Sequence, residues 1–207
     1  MTEAEAWAVA EGLNVSRESW TRISTFVDLL LRWQQRINLI SPATIPEVWN
    51  RHVLDSLQLL PFMATRTGPF ADLGSGSGFP ALPLAIASGR EVHLYESNGK
   101  KAAFLQEALR VCAASGKVHL KRLEEVGAGA VPEVAFVTAR ALAPLDVLLG
   151  WAEPFLTAGA TGLFHKGQDV DAELTRAAKS WRIRFRKHQS LTDSRAVILE
   201  VEEAARV

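Results

Sequence analysis

The residues most suited to chemistry stand in the run Ala71-Asp72-Leu73-Gly74-Ser75-Gly76-Ser77-Gly78-Phe79-Pro80, an acid followed by three glycines at alternate positions. Glycines at such spacing let the main chain turn tightly and approach a ligand closely. The pattern G-x-G-x-G differs from the dinucleotide fingerprint G-x-G-x-x-G. Phe79 and Pro80 stand where a last glycine would be needed to admit a pyrophosphate, and Asp72 repels phosphate. A cationic, sulfonium-bearing amino acid is welcome beside Asp72, so the turn points to S-adenosylmethionine. Two further acids agree. Glu96 lies about 20 residues beyond the glycines, where a carboxylate accepts hydrogen bonds from ribose hydroxyls. Glu124, in Arg122-Leu123-Glu124-Glu125, falls where the adenine edge would lie. Each acid alone reads equally as a solvated loop charge. It is their joint placement at strand ends that marks a site.

The next candidate is Arg140, in Thr138-Ala139-Arg140-Ala141-Leu142. An arginine stays protonated and is a poor base, so it suits an acceptor atom that needs no deprotonation, such as guanine N7. Catalysis would then rest on alignment and electrostatics. The competing reading is a salt-bridged structural arginine. Methylation of pyrimidine carbon 5 needs a cysteine nucleophile, but Cys112, the single cysteine, lies inside a predicted helix. Exocyclic amine chemistry commonly uses an Asn/Asp-Pro-Pro-aromatic turn, absent after Thr138. The scattered histidines show no ligand spacing, so no metal is expected. His52 and Asp55, three apart on a predicted helix, share a face, either as a surface pair or as part of the site's wall.

Candidate RNA contacts are Lys100 with Lys101, Lys166-Gly167, and the stripe Arg182, Arg184 and Arg186, which share one face of a strand. The competing readings are a solvated helix start and charges that protect a sheet edge.

These residues need a frame. The chain has 207 residues, 48% of them hydrophobic, with 23 basic and 23 acidic side chains. That suits one globular domain with an extension. Zero net charge argues mildly against a nucleic-acid binder, yet six cations and no acid fall between Arg176 and Lys187. No run is apolar enough to span a membrane, the first ten residues do not resemble a signal peptide, and the lone cysteine fits a reducing cytoplasm. Before residue 67 the pattern is helical. Ser16 caps a helix carrying Trp20, Ile23, Val27, Leu30 and Ile37 on one stripe, and Thr44-x-x-Glu47 has capping-box spacing ahead of a helix running to Leu60, stopped by Pro61. From residue 67 onward, short apolar runs alternate with helical stretches, which means βαβ units and a mostly parallel sheet. Trp181–Arg186 and Ala196–Val201 read as a terminal antiparallel hairpin. The expectation is an α/β, class I, Rossmann-like methyltransferase fold of seven strands, with residues 1–66 as a helical extension and 67–207 as the catalytic domain.

The chain also resembles the bacterial small-subunit ribosomal RNA methyltransferase G family, formerly glucose-inhibited division protein B. The resemblance rests on Asn38-Leu39-Ile40-Ser41, Arg51-His52-Val53-Leu54-Asp55-Ser56-Leu57, Asp72 to Pro83, Lys100 to Leu105, Ala139-Arg140-Ala141 and Lys166-Gly167. It implies methylation of guanine N7 in the 530 loop of 16S rRNA, free or within the small ribosomal subunit, with S-adenosylmethionine as donor. It also implies cofactor contacts at Gly74, Phe79, Leu123, Glu124 and Arg140. Two departures are Glu96-Ser97-Asn98-Gly99, where members more often have Asp-Ser-Leu, and His165, to which no role is attached. A small-molecule methyltransferase and a non-enzymatic RNA-binding module are the rival readings. A nicotinamide oxidoreductase fails on glycine spacing. The oligomeric state is open, with a monomer the simplest expectation.

Overall fold

The computed structural model describes residues 1–127 and 131–207. The chain starts with α1 (Glu3–Gly12), opened by a reciprocal cap in which Thr2 Oγ1 accepts from the Glu5 amide and Glu5 accepts from the Thr2 amide. Ser16 caps α2 (Arg17–Gln34), whose stripe buries Trp20, Ile23, Phe26, Val27 and Leu30. The next stretch departs from expectation. A 3-10 turn (Pro42–Glu47) leads into a π-helical turn (Trp49–Leu54), then α3 (Asp55–Leu57) and α4 (Leu60–Met63). The anticipated capping box does not form: Thr44 Oγ1 donates to the Ser41 carbonyl instead. Pro61 sits in the first turn of α4, where its missing N–H costs nothing, rather than stopping a helix. Wider π winding is common at functional sites, and here it turns His52, Asp55 and the Arg51 carbonyl toward the sheet.

From Phe70 onward the alternation expected from the sequence is observed. The strands are β1 (Phe70–Leu73), β2 (Val92–Glu96), β3 (Gly116–Leu120), β4 (Phe136–Arg140), β5 (Thr161–Lys166), β6 (Trp181–Gln189) and β7 (Val197–Arg206). Between them lie α5 (Ala81–Ser88), α6 (Gly99–Val111), α7 (Leu145–Thr157) and α8 (Val170–Ala177). They form one sheet in the order β3-β2-β1-β4-β5-β7-β6. β1 to β5 pair in parallel, while β7 runs antiparallel to both β5 and β6. The order reverses beside β1, so the crevice at the carboxyl ends of β1 and β4 is the place for a ligand.

One apolar cluster packs α1, α2, α5 and α6 against the sheet, with Phe26, Phe70, Phe104 and Phe136 at its centre. The extension therefore shares the sheet's core. A second cluster, on the other face, joins α7 to β5 and β7 through Phe155, Phe164 and Leu199. No helix among the described residues is long and apolar enough to cross a membrane.

Candidate active site

The glycine turn leaves β1 with positive φ at Gly74 (66°), Gly76 (51°) and Gly78 (84°), a backbone that residues with Cβ rarely adopt. At Gly74 a Cβ would also collide with the Leu142 side chain, and at Gly78 it would stand 2.8 Å from Leu82 Cδ1. Glu96, at the end of β2, holds the turn: its Oε2 accepts from the Gly76 amide at 2.9 Å and its Oε1 from the Asn98 amide at 2.7 Å. Asn98 then caps α6 through the Lys100 and Lys101 amides. Glu96 thus spans the turn and the helix start together.

Asp72 is 1% exposed. Its Oδ1 accepts from Thr138 Oγ1 at 2.6 Å across the β1–β4 pair, while its Oδ2 has no partner among the described residues. Burial pushes its pKa up to about 6, against the lowering effect of the Thr138 hydroxyl. An orphaned buried carboxylate oxygen beneath a glycine turn is a site for a cationic ligand.

A cavity of about 320 Å³ lies against this turn, walled by Gly74, Gly76, Glu96, Leu123, Glu124 and Leu142, with Tyr95 and Trp151 also in its lining. Its walls fit S-adenosylmethionine. Each Glu96 oxygen keeps a lone pair that a ribose hydroxyl could use, Leu123 and Leu142 offer apolar surface of the kind adenine needs, and the orphaned Asp72 carboxylate oxygen lies under the turn rather than in the cavity wall. Seven of the nine expected cofactor residues meet around this turn and cavity. The eighth, Phe79, is buried with its ring against Phe26 and His52, and the ninth, Arg140, lies beyond it.

Arg140 ends β4 and is committed to the extension. Its Nη1 donates to the Arg51 carbonyl (3.0 Å) and to Asp55 Oδ2 (3.2 Å), and its Nη2 donates to His52 Nδ1 (2.9 Å). The guanidinium carbon lies 5.3 Å from the centre of the Phe79 ring. Since Arg only donates, His52 Nδ1 must be the acceptor. Its proton sits on Nε2, which meets Thr44 Oγ1 at 2.9 Å. Burial and the Arg140 charge hold the imidazole neutral, lowering its pKa to about 4. The next residue, Ala141, has φ of 50°, a strained conformation for a non-glycine.

Asp55 is the hub of this wall. Its Oδ1 accepts from Gln58 and from Thr192, each at 2.8 Å, and its carbonyl accepts from His165 Nε2 at 2.7 Å. Gln58 Oε1 in turn accepts from the Leu191 amide at 2.8 Å. The end of the π-helical turn, the ends of β4 and β5, and the β6–β7 loop are thus tied at one residue, through its carboxylate and its carbonyl. Because a carbonyl accepts, His165 Nε2 carries the proton; its Nδ1 is buried without a partner among the described residues, and burial lowers its pKa. Three more cavities, of about 440, 260 and 340 Å³, surround Arg140 and Ala141. The first shares Gly74 and Gly76 with the cofactor cavity.

The expected RNA contacts fall differently. Lys100 is exposed at the start of α6. Lys166 does not present its ammonium outward: it is 8% exposed, paired with Glu173, and donates to the Ala143 carbonyl at 3.1 Å. Glu173 also accepts from the Leu145 amide, so the pair pins the loop after β4. Arg182, Arg184 and Arg186 do share one face of β6. A register shift beside Arg184 sets Glu202 and Glu203 close together on β7, however, and Arg184 bridges to both (3.1 and 3.4 Å). Arg186 bridges to Glu202 at 2.8 Å and lies 3.9 Å from Glu200. The stripe is thus largely matched by facing acids. Cys112 is buried, its thiol pushed up to about 11, which agrees with a packing role. Among the described residues no cluster of three metal-binding side chains occurs. The sequence reading missed His165 and Leu142, whose roles depend on contacts with distant segments.

A seven-stranded sheet with this order, a glycine turn after β1 and acids at the ends of β1 and β2 define a class I S-adenosylmethionine-dependent methyltransferase. Solved structures agree in fold. A SAM-dependent O-methyltransferase from Thermotoga maritima superposes with a TM-score of 0.58 at 13% identity, over 88% of this chain and 72% of that one. A ribosomal protein L11 methylase from Lactobacillus delbrueckii subsp. bulgaricus gives 0.57 at 17% identity, over 72% and 76%. Sequence goes further. Residues 20–200 match the family described as rRNA small subunit methyltransferase G (GidB), and the chain belongs to that family. It is 50% identical to the ribosomal RNA small subunit methyltransferase G of Rhodopseudomonas palustris (strain BisA53), over 93% of this chain and 84% of that protein. With the protein of the same name from Paramagnetospirillum magneticum it shares 47% identity, over 93% and 92%. The chain is accordingly an S-adenosylmethionine-dependent rRNA methyltransferase.

Proposed function

We propose that this enzyme methylates N7 of a guanine in the 530 loop of 16S rRNA, acting on the free RNA or on the small ribosomal subunit. The observation that carries the reading is the chemistry around Arg140. Most side chains there that could take a proton are already engaged: His52 Nδ1 accepts from Arg140, Asp55 is bonded on both oxygens, and Glu173 is paired with Lys166. His165 Nδ1 keeps a lone pair, but it is buried without a partner among the described residues and burial lowers its pKa. Asp193 is held below the usual carboxylate range, chiefly by the Arg195 amide. An acceptor with a free lone pair needs no base, and guanine N7 is such an atom.

S-adenosylmethionine, when bound, supplies a methyl group on a sulfonium. Asp72, Gly74, Gly76, Gly78, Phe79, Glu96, Leu123 and Glu124 are assigned to hold it. Arg140 is assigned to the junction between cofactor and base, with its direction set by Asp55 and His52. A base methylated at N7 becomes cationic. The Asp55 carboxylate offsets the neighbouring guanidinium, so the acceptor does not gain charge against a bare cation. Lys100 and Arg182, with no acid in bridging range among the described residues, carry more of the RNA role in this reading than Lys166, Arg184 and Arg186, whose charges are balanced internally.

The direct test is methyl transfer from labelled cofactor to small-subunit RNA and to particles, with mapping of the product. One N7-methylated guanine in the 530 loop is expected; a product on another base or atom would sink the proposal. A second expectation concerns pH. Below about pH 6 Asp72 takes up its proton and loses its attraction for a cationic ligand, so cofactor affinity should rise several-fold between about pH 5 and 7. Calorimetric titration of Asp72→Asn should show weak, flat binding over the same window. A wild-type profile as flat as the variant's would remove Asp72 from the cofactor site.

A further inference from the structure

At the free edge of the sheet, the rim of the cofactor cavity carries charges that the cofactor does not need. Lys121 and Arg122 follow β3 and line the cavity at the Leu123–Glu124 end, where the adenine slot leaves nothing anionic to bind. S-adenosylmethionine has no phosphate and bears a sulfonium, so cations there work against it. Lys117 stands on β3 itself, in register with His93, and Lys100 lies in the first turn of α6, which follows β2. All four are exposed, and none has a carboxylate within 4.0 Å among the described residues. The hairpin at the opposite edge differs: apart from Arg182, its exposed cations Arg184, Arg186, Lys187 and Arg206 are bridged to acids. Lys101 is left out of the group because it lines two cavities and can serve the carboxylate of the cofactor.

We infer that Lys100, Lys117, Lys121 and Arg122 form a phosphate-tracking surface along the β2–β3 edge, on which the RNA strand flanking the target nucleotide lies. The inference rests on the rRNA reading above. β3 is an edge strand whose outer main chain is unpaired, and lysines on such strands also discourage edge-to-edge association. Lys121 and Arg122 lie past the end of the strand, at the cavity mouth, where edge protection has no use for them.

The test is the salt dependence of binding to a small-subunit rRNA transcript, measured for the full chain and for the triple variant Lys117→Gln, Lys121→Gln, Arg122→Gln. Each lost contact to single-stranded RNA lowers the slope of log affinity against log salt by about 0.7. The triple variant should therefore lose about 2 units of slope, with cofactor affinity held within about twofold. Arg184→Gln with Arg186→Gln, as a control, should change the slope by less than one contact. An unchanged slope in the triple variant overturns the inference while leaving the rRNA reading intact. No salt-dependent binding by the wild type would instead remove the rRNA reading itself. A parallel loss of cofactor affinity would return these cations to the cofactor pocket, and self-association of the variant with an unchanged slope would make them edge protection. A nucleoside monophosphate added as competitor separates a single-phosphate pocket from a strand-tracking surface. Displacement of RNA at equimolar nucleotide contradicts the surface; indifference supports it.

Discussion

Replacing Glu96 with alanine is expected to weaken S-adenosylmethionine binding about a hundredfold. Both carboxylate oxygens are engaged by main-chain amides, Gly76 on one side and Asn98 on the other, so the side chain fixes the glycine turn and the start of α6 at once. A hydrogen bond to a charged group contributes about 1.5–3 kcal/mol, and the substitution removes two of them as well as the acceptor proposed for ribose hydroxyls. One bond's worth of that energy, about 2.7 kcal/mol, already corresponds to a factor of about a hundred. Glu96→Gln keeps one oxygen and the side-chain length, so it should fall between the two. The measurement is calorimetric titration with cofactor alone, which needs no RNA. Affinity for Glu96→Ala within threefold of wild type would mean that the turn holds its shape without the carboxylate and that ribose is bound elsewhere.

The second large effect is on stability. Asp55→Ala should destabilise the fold by about 3–5 kcal/mol, because it strips the partner from a mostly buried guanidinium. The side chains of Asp55 and Arg140 are 15% and 16% exposed, and the same carboxylate also receives Gln58 and Thr192. Removing both charges should cost less than removing one. The double variant Asp55→Ala, Arg140→Met is expected to recover part of the loss, since a buried pair replaced by apolar groups is often near neutral. Urea denaturation of the four proteins in the cycle gives the coupling. A loss below about 1 kcal/mol for Asp55→Ala would show that the network at this carboxylate is replaced by solvent at little cost. The double variant should also bind cofactor while transferring no methyl, if Arg140 acts at the junction assigned to it.

How much of this was legible beforehand follows from the range of each interaction. The glycine turn, the cap at Ser16, the alternation of β6 and the βαβ rhythm all depend on residues within a few positions of one another, and the structure contains them. Asp72, Glu96 and Glu124 could be placed at strand ends by counting, because a parallel sheet puts the carboxyl ends of successive strands on one edge. The stretch from Thr44 to Pro61 was misjudged for the same reason. Local spacing favoured a capped α-helix, whereas the segment winds as a 3-10 turn, a π turn and two short α-helices and serves Arg140, with Thr44 Oγ1 taken up by Ser41 and His52.

By itself, then, the sequence determined the fold class, the cofactor turn and the family, since these are carried by short motifs and by periodicity. Only the tertiary structure decided which charges are free to act. Arg140 meets Asp55 across 85 residues of chain, and Thr192 meets the same carboxylate across 137. Lys166 is silenced by Glu173 on the following helix, and Arg184 and Arg186 are matched by acids beside a register shift on β7 that no local pattern announces. A charge's function depends on which opposite charges and how much solvent lie within a few ångströms of it, and that is set when distant segments pack together.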